Sequence, residues 1–132
     1  MREILFKAKS KRGNKWVYGH YWFNAFTQQH YLKCLTEGGT QYEDIEVIPE
    51  TVCQFTGLTD KNGNNIFEGD KVRYRNSTKY CEVIGDYLSF EGVIEYWVGQ
   101  TGVGYRYKSG RYTMMIKRGQ SFSFEIIGNI HD

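Results

Sequence analysis

At 132 residues the chain is long enough for one compact domain or two small lobes, and its formal charge of +2 marks it as neither strongly basic nor strongly acidic. No apolar run reaches the length that spans a bilayer, and the charged opening from Met1 to Asn14 lacks the apolar core of a signal peptide, so no membrane partner is expected. Aromatic residues make up 17% of the chain beside a single proline and fifteen glycines, the composition of short strands separated by turns.

Taken in order, Ile4, Phe6 and Ala8 alternate with Leu5, Lys7 and Lys9, which predicts a first strand. Lys11-Arg12-Gly13-Asn14 reads as a turn into a second strand, Trp16 to Phe23, so the two form a hairpin. Gly19 in the middle of that strand signals a bulge or a close backbone approach. Asn24 to Gln29 is a polar loop, His30 to Leu35 a third strand, and Tyr42 to Ile48 a fourth, with Ile45 and Val47 on one face. Pro49 interrupts it, with room for one helical turn, and a soft boundary falls near Val52.

The run from Gln54 to Val72 organises the rest. Asn62-Gly63 is a hairpin signal, because both residues tolerate the positive φ of tight turns, and Leu58 and Ile66 flank it. Gly69-Asp70 makes a second bend and launches a strand in which Val72 and Tyr74 alternate with Lys71 and Arg73. After a loop at Arg75 to Lys79, Tyr80 to Ile84, Tyr87 to Phe90 and Val93 to Val98 read as strands, with Glu91-Gly92 separating the second from the third. Gly99 to Gly104 reads as a mobile glycine-rich loop, with room for a helical turn within residues 100–112; Arg111 to Lys117 and Phe122 to Ile130 supply the last strands. No window holds a helical apolar period. The expected fold is mainly β, a small antiparallel barrel or sandwich: an N-terminal β-meander over 1–52, and over 53–132 the central hairpin followed by an SH3-like barrel packed on that meander.

Gln54-Phe-Thr-Gly-Leu-Thr-Asp-Lys-Asn-Gly-Asn-Asn-Ile-Phe-Glu-Gly-Asp-Lys-Val72 resembles the signature of the YopX family, small proteins of phages and prophages. Trp16-Val17-Tyr18-Gly19, the closing Glu125-Ile126-Ile127-Gly128-Asn129-Ile130 and the opening Met1-Arg2-Glu3-Ile4 agree with the same family. The resemblance implies a mainly β protein of viral origin with no assigned activity, and supplies no catalytic residues; with no spanning run and no signal-peptide core, the cytoplasm of a bacterial host is the expected location. Within the run, Gly57, Asp60, Asn62, Gly63, Glu68, Gly69 and Asp70 are read as structural.

Little in the chain suggests catalysis or metal binding. Cys34, Cys53 and Cys81 are widely spaced and odd in number, which reads as three free, buried thiols with no zinc site. Asp60-x-Asn62-x-Asn64 spaces oxygens like a calcium loop, but Asn65 and Lys71 stand where glycine and a bidentate glutamate belong. Gly99-x-x-Gly102-x-Gly104 has no helix after it to bind phosphate. His20 and His30 are candidate bases without a partnered nucleophile, and Asp44 and Glu46 read as solvated. A non-enzymatic binding module without cofactors is the expectation.

Charge distribution says where a partner would sit. Residues 1–70 carry eight basic and nine acidic groups, residues 71–132 nine and six, and no acid falls between Glu95 and Glu125. Arg106, Tyr107, Lys108, Arg111 and Tyr112 interleave cations with rings, and Lys117, Arg118, Lys71, Arg73 and Arg75 extend the set. Cations that follow phosphates beside rings that stack on bases are the means of single-strand binding. A solvated strand face carries the same residue types, so a host protein and a nucleotide-like small molecule stand as alternative partners. Self-association through open sheet edges is a further expectation.

Overall fold

The computed structural model describes residues 5–36, 38–76, 88–99, 102–108, 113–115 and 124–132, which form strands, turns and a single short 3-10 helix. They divide into two compact units, residues 1–55 and 56–132.

In the first unit β1 (Phe6–Lys9), β2 (Trp16–Asn24), β3 (Gln29–Leu35) and β4 (Tyr42–Glu46) form an antiparallel meander, and the start of β5 (Cys53–Thr59) returns to pair with β1. Alternation builds its core: Ala8, Leu32, Cys34 and Val47 are buried, with Phe6, Val17, Tyr21, Ile45 and Val52 packed against them. An isolated bridge joins Ser10 to Val47, which curls the end of β4 toward the end of β1. The Pro49–Thr51 helical turn holds this corner, where the Thr51 hydroxyl accepts the Lys9 N–H at 2.9 Å and donates to the Ile48 carbonyl at 2.7 Å. Gly19 is where β2 presses on β3: a Cβ there would lie 2.1 Å from the Lys33 carbonyl oxygen, the close approach that the sequence indicates.

The second unit begins within β5, which with β6 (Asn65–Phe67) makes the central hairpin. Then β7 (Asp70–Asn76), β8 (Leu88–Gly99), β9 (Gly102–Lys108), β10 (Thr113–Met115) and β11 (Phe124–Asn129) form an antiparallel sheet in the order β10-β9-β8-β7-β11. Val72, Ile94 and Phe124 are fully buried, as are Ile66 and Phe67 of the hairpin. The ladder is open, with β10 and β11 at its edges, so the mainly β antiparallel architecture holds while the expected barrel closure is not formed by the described strands.

Three expectations in this unit are corrected. Arg75 and Asn76, expected to open a loop, end β7 and pair with Ser89 and Leu88. Glu91-Gly92 is not a break between strands, because Arg73 and Val72 of β7 pair with both residues and keep β8 continuous. Nor is Gly99 to Gly104 a free loop: Gly99 pairs with Gly102, and β9 begins there as the return arm of a hairpin whose Gln100 and Thr101 lie outside the described residues. The expected strand at Tyr80 to Ile84, with Cys81, and most of the loop before it also lie outside them.

Candidate functional site

The Gln54 to Val72 run proves to be scaffold. Asp60 is buried at the hairpin turn; its Oδ1 accepts the N–H groups of Asn62 and Asn64, each at 2.9 Å, and its Oδ2 accepts the Ile126 N–H of β11 at 3.2 Å. Gly63 closes the turn at φ +80°, a region glycine enters without penalty. Asp70 is fully buried; its Oδ2 accepts the Phe67 N–H at 2.8 Å and its Oδ1 accepts the Asn129 side-chain N–H at 2.9 Å. Gly69, at φ +82°, donates to the Ile94 carbonyl at 2.7 Å and accepts the Ile130 N–H at 3.0 Å. Gly57 also takes a positive φ, within β5, and Glu68 is half-buried in the bend before Gly69. Both carboxylates thus serve backbone and amide donors, fixing the central hairpin to β7 and β11.

The basic residues of the C-terminal half are only partly assembled among the described residues. Cross-strand register puts Lys71, Val93 and Lys108 in one row, Arg73 beside Glu91, and Arg106 beside Glu95. Lys71 and Lys108 are exposed. Arg73 is held by Glu91 at 3.2 Å and Arg106 by Glu95, while Lys61 pairs with Glu125 of β11 at 3.4 Å. This face is therefore one of alternating charge, with carboxylates standing between the cations. Tyr107 falls between Arg106 and Lys108 in the strand and pairs in register with the fully buried Ile94; Arg75 pairs with Ser89. Arg111, Tyr112, Lys117 and Arg118 lie outside the described residues.

A second surface, on the first unit, escaped the sequence reading. Successive residues of β2 alternate between the core and the outer face. Val17 and Tyr21 pack on the core, so Trp16, Tyr18, His20 and Trp22 stand on the other side, in file, about 6.7 Å apart along the strand. Lys9 and Lys7 of β1 sit opposite Trp16 and Tyr18; Lys33 and Tyr31 of β3 sit opposite His20 and Trp22. The Lys7 and Lys9 ammonium groups lie 4.7 and 5.6 Å from the centre of the Trp16 ring, a cation–π arrangement. Trp22 and Tyr31 stack at 4.7 Å with planes 16° apart, and the Trp22 indole N–H donates to Asp44 Oδ1 at 2.9 Å. A groove of about 510 Å³ runs between His20, Tyr21, Trp22, Lys33 and Asp44; a second, of about 750 Å³, shares His20 and Lys33 with it and extends past Tyr18, Leu35 and Tyr42. Tyr18, at 53% exposure, and Tyr42, at 60%, offer their rings to solvent. Alternation could have revealed this face. It was hidden because both sets of β2 residues are rich in apolar side chains, so hydrophobicity alone does not say which set points out.

The hairpin between β2 and β3 ends in Ala25 to Gln28, with Phe26 fully exposed and Phe23 half-exposed. His30 shares a hydrogen bond with the Tyr21 hydroxyl at 2.5 Å and stacks on that ring, and His20 is exposed on the ring-lined face. Cys34 and Cys53 are buried, and burial, followed by the nearby Glu43 carboxylate, pushes the Cys34 thiol pKa upward. Among the described residues no group of three or more His, Cys, Asp or Glu side chains is placed to hold a metal ion, and no helix is long and apolar enough to cross a membrane.

Open antiparallel sheets, a buried carboxylate network and a ring-lined outer face define a small all-β protein in two units. The chain matches the family model described as YopX protein over residues 5–132, nearly its whole length, and it belongs to the YopX family. No curated protein matches it.

Proposed function

We propose that this YopX-family chain is a non-enzymatic accessory protein of a phage or prophage, working in the cytoplasm of its bacterial host as a binding module for single-stranded nucleic acid. Its working surface is the outer face of the first unit. One observation carries the reading: Trp16, Tyr18, His20 and Trp22 stand in file along β2, with Lys9 on one side and the exposed Lys33 on the other, while Lys7 is buried beside Trp16. Rings at this spacing serve as a stacking platform for successive bases, and cations beside them follow the phosphates. The mixed-charge face of the second unit is the lesser candidate, because it pairs its cations with carboxylates, as Lys33 is paired with Asp44, and lacks a comparable file of rings among its described side chains.

A host protein is the second reading. Leu35 and Tyr42 are exposed beside Tyr18, and Asp44 lies 3.8 Å from Lys33, so part of the face is apolar and its charge partly balanced. Fluorescence anisotropy with a labelled oligothymidine at low salt separates the readings. Single-strand binding predicts that Tyr18→Ala and Trp22→Ala each weaken affinity by about 1–3 kcal/mol without regard to base sequence. It also predicts a log–log salt slope of about −0.7 for each phosphate held. Competition by a mononucleotide but not by a long strand would transfer the site to a small nucleotide ligand. No binding at tens of micromolar protein (a range set by the weak non-specific affinities of such proteins, roughly 10⁻⁴–10⁻⁶ M) would remove the nucleic-acid reading and leave the host protein.

A further inference from the structure

The β2–β3 hairpin carries the ring file to its tip. Asn24 ends β2 two residues beyond Trp22 and shapes the loop that follows. Its side-chain carbonyl accepts the N–H groups of Phe26 and Thr27 at 3.0 and 3.3 Å, and its backbone carbonyl accepts the Gln28 N–H at 2.7 Å. Gln28 completes the reversal at φ +58° and Gln29 re-enters register opposite Asn24. The loop is thus fixed by hydrogen bonds made at its own base, and what it holds out is the Phe26 ring, fully exposed. From Tyr21 to Leu32 the sequence contains no Asp, Glu, Lys or Arg. A phosphate backbone therefore finds neither attraction nor repulsion at the tip. What the tip presents is a flat apolar ring with the Thr27 hydroxyl and the Gln28 amide beside it, groups suited to base faces and base edges.

We propose that Phe26 is a stacking wedge, placed at the end of the ring file to cap the terminal base pair of a duplex, so that the protein settles at junctions between single- and double-stranded nucleic acid. Apolar side chains that insert against base steps work in this way, gaining stacking where a duplex opens or stops. Pre-ordering the loop through Asn24 lowers the cost of presenting the ring. The proposal rests on the single-strand reading of the outer face, which supplies the track leading to the tip.

The test compares the affinity of the intact chain for an oligothymidine with that for the same strand ending in a short hairpin duplex, with 2-aminopurine at the junction. The expected result is tighter binding to the junction by about tenfold, within the range that one stacked base supplies, and quenching of the 2-aminopurine. Phe26→Ala should abolish that preference and the quenching while leaving oligothymidine affinity unchanged, and Phe26→Trp should retain both. Because Phe26 is fully exposed, the variants are expected to fold as the parent does. Equal affinity of the parent chain for both ligands, or a junction preference that survives Phe26→Ala, would overturn the wedge while the single-strand reading stood. Failure to bind either ligand would overturn both.

Discussion

Removing the Asp70 carboxylate should destabilise the second unit far more than a typical surface change. Asp70 is fully buried and accepts the Phe67 N–H and the Asn129 side-chain N–H on separate oxygens. Asp70→Ala strands two buried donors, each costing about 1–3 kcal/mol, so the expected loss is roughly 2–6 kcal/mol. Asp70→Asn tests the chemistry at constant shape, since one oxygen becomes an amide N–H₂ that must face a donor; it should fall near the alanine variant. With a urea slope of roughly 2 kcal/mol per molar, a loss in the middle of that range moves the midpoint down by about 2 M. Circular dichroism across a urea series measures it. A cycle with Asn129→Ala should return a coupling of about 0.5–3 kcal/mol between the two residues. A midpoint shift below about 0.3 M at unchanged slope, for either Asp70 variant, would refute the account of this network.

Gly19→Ala places a methyl where the Lys33 carbonyl oxygen leaves no room; a loss of about 1–3 kcal/mol or more in thermal or urea denaturation is expected, and a neutral result would mean that β2 and β3 separate easily there. Burial of the Cys34 thiol gives a pH dependence of definite sign. The folded chain holds that proton to higher pH than the unfolded chain, whose thiols ionise near about 8.5, so this contribution is fully present below that pH and is lost as pH rises above it. Denaturation midpoints from pH 7 to 10 should fall more steeply for the parent chain than for Cys34→Ala; parallel curves would contradict the burial.

Turn chemistry was the most legible feature of the sequence. Asn62-Gly63 and Gly69-Asp70 name their bends because only certain residues take the required φ, and both glycines adopt it. Alternation located the strands of the first unit and set Lys71 apart from the buried Val72. It failed at Glu91-Gly92 and at Gly99 to Gly104, where residues that usually break strands are paired with neighbours that come from elsewhere in the chain. The candidate surfaces were harder to see for a related reason. Composition read along the chain merges the two faces of a strand, so a run that mixes cations and rings does not say which of them share a face. Nor does sequence show that Glu91 and Glu95 stand beside Arg73 and Arg106, because those pairings depend on register between strands. Asp60 and Asp70 were identified as structural, but their partners Ile126 and Asn129 lie 66 and 59 residues away.

Those separations bear on how the chain matures as it leaves the ribosome. The first unit joins strands that are mostly neighbours in sequence, and its pairing partners have all been made once residue 55 has emerged. In the second unit β7 lies between β8 and β11, and the carboxylates that arrive with residues 60 and 70 find their last donors only in Ile126 and Asn129 of β11. Until β11 has emerged, therefore, β7 lacks one of its two neighbours, and Asp60 and Asp70 lack the partners in β11 that lock the hairpin. A chain stopped short of Phe124 would carry nearly all of the family signature without the contacts that hold it in place. Chaperone capture and protease sensitivity should accordingly concentrate in the second unit and end when β11 pairs with β7.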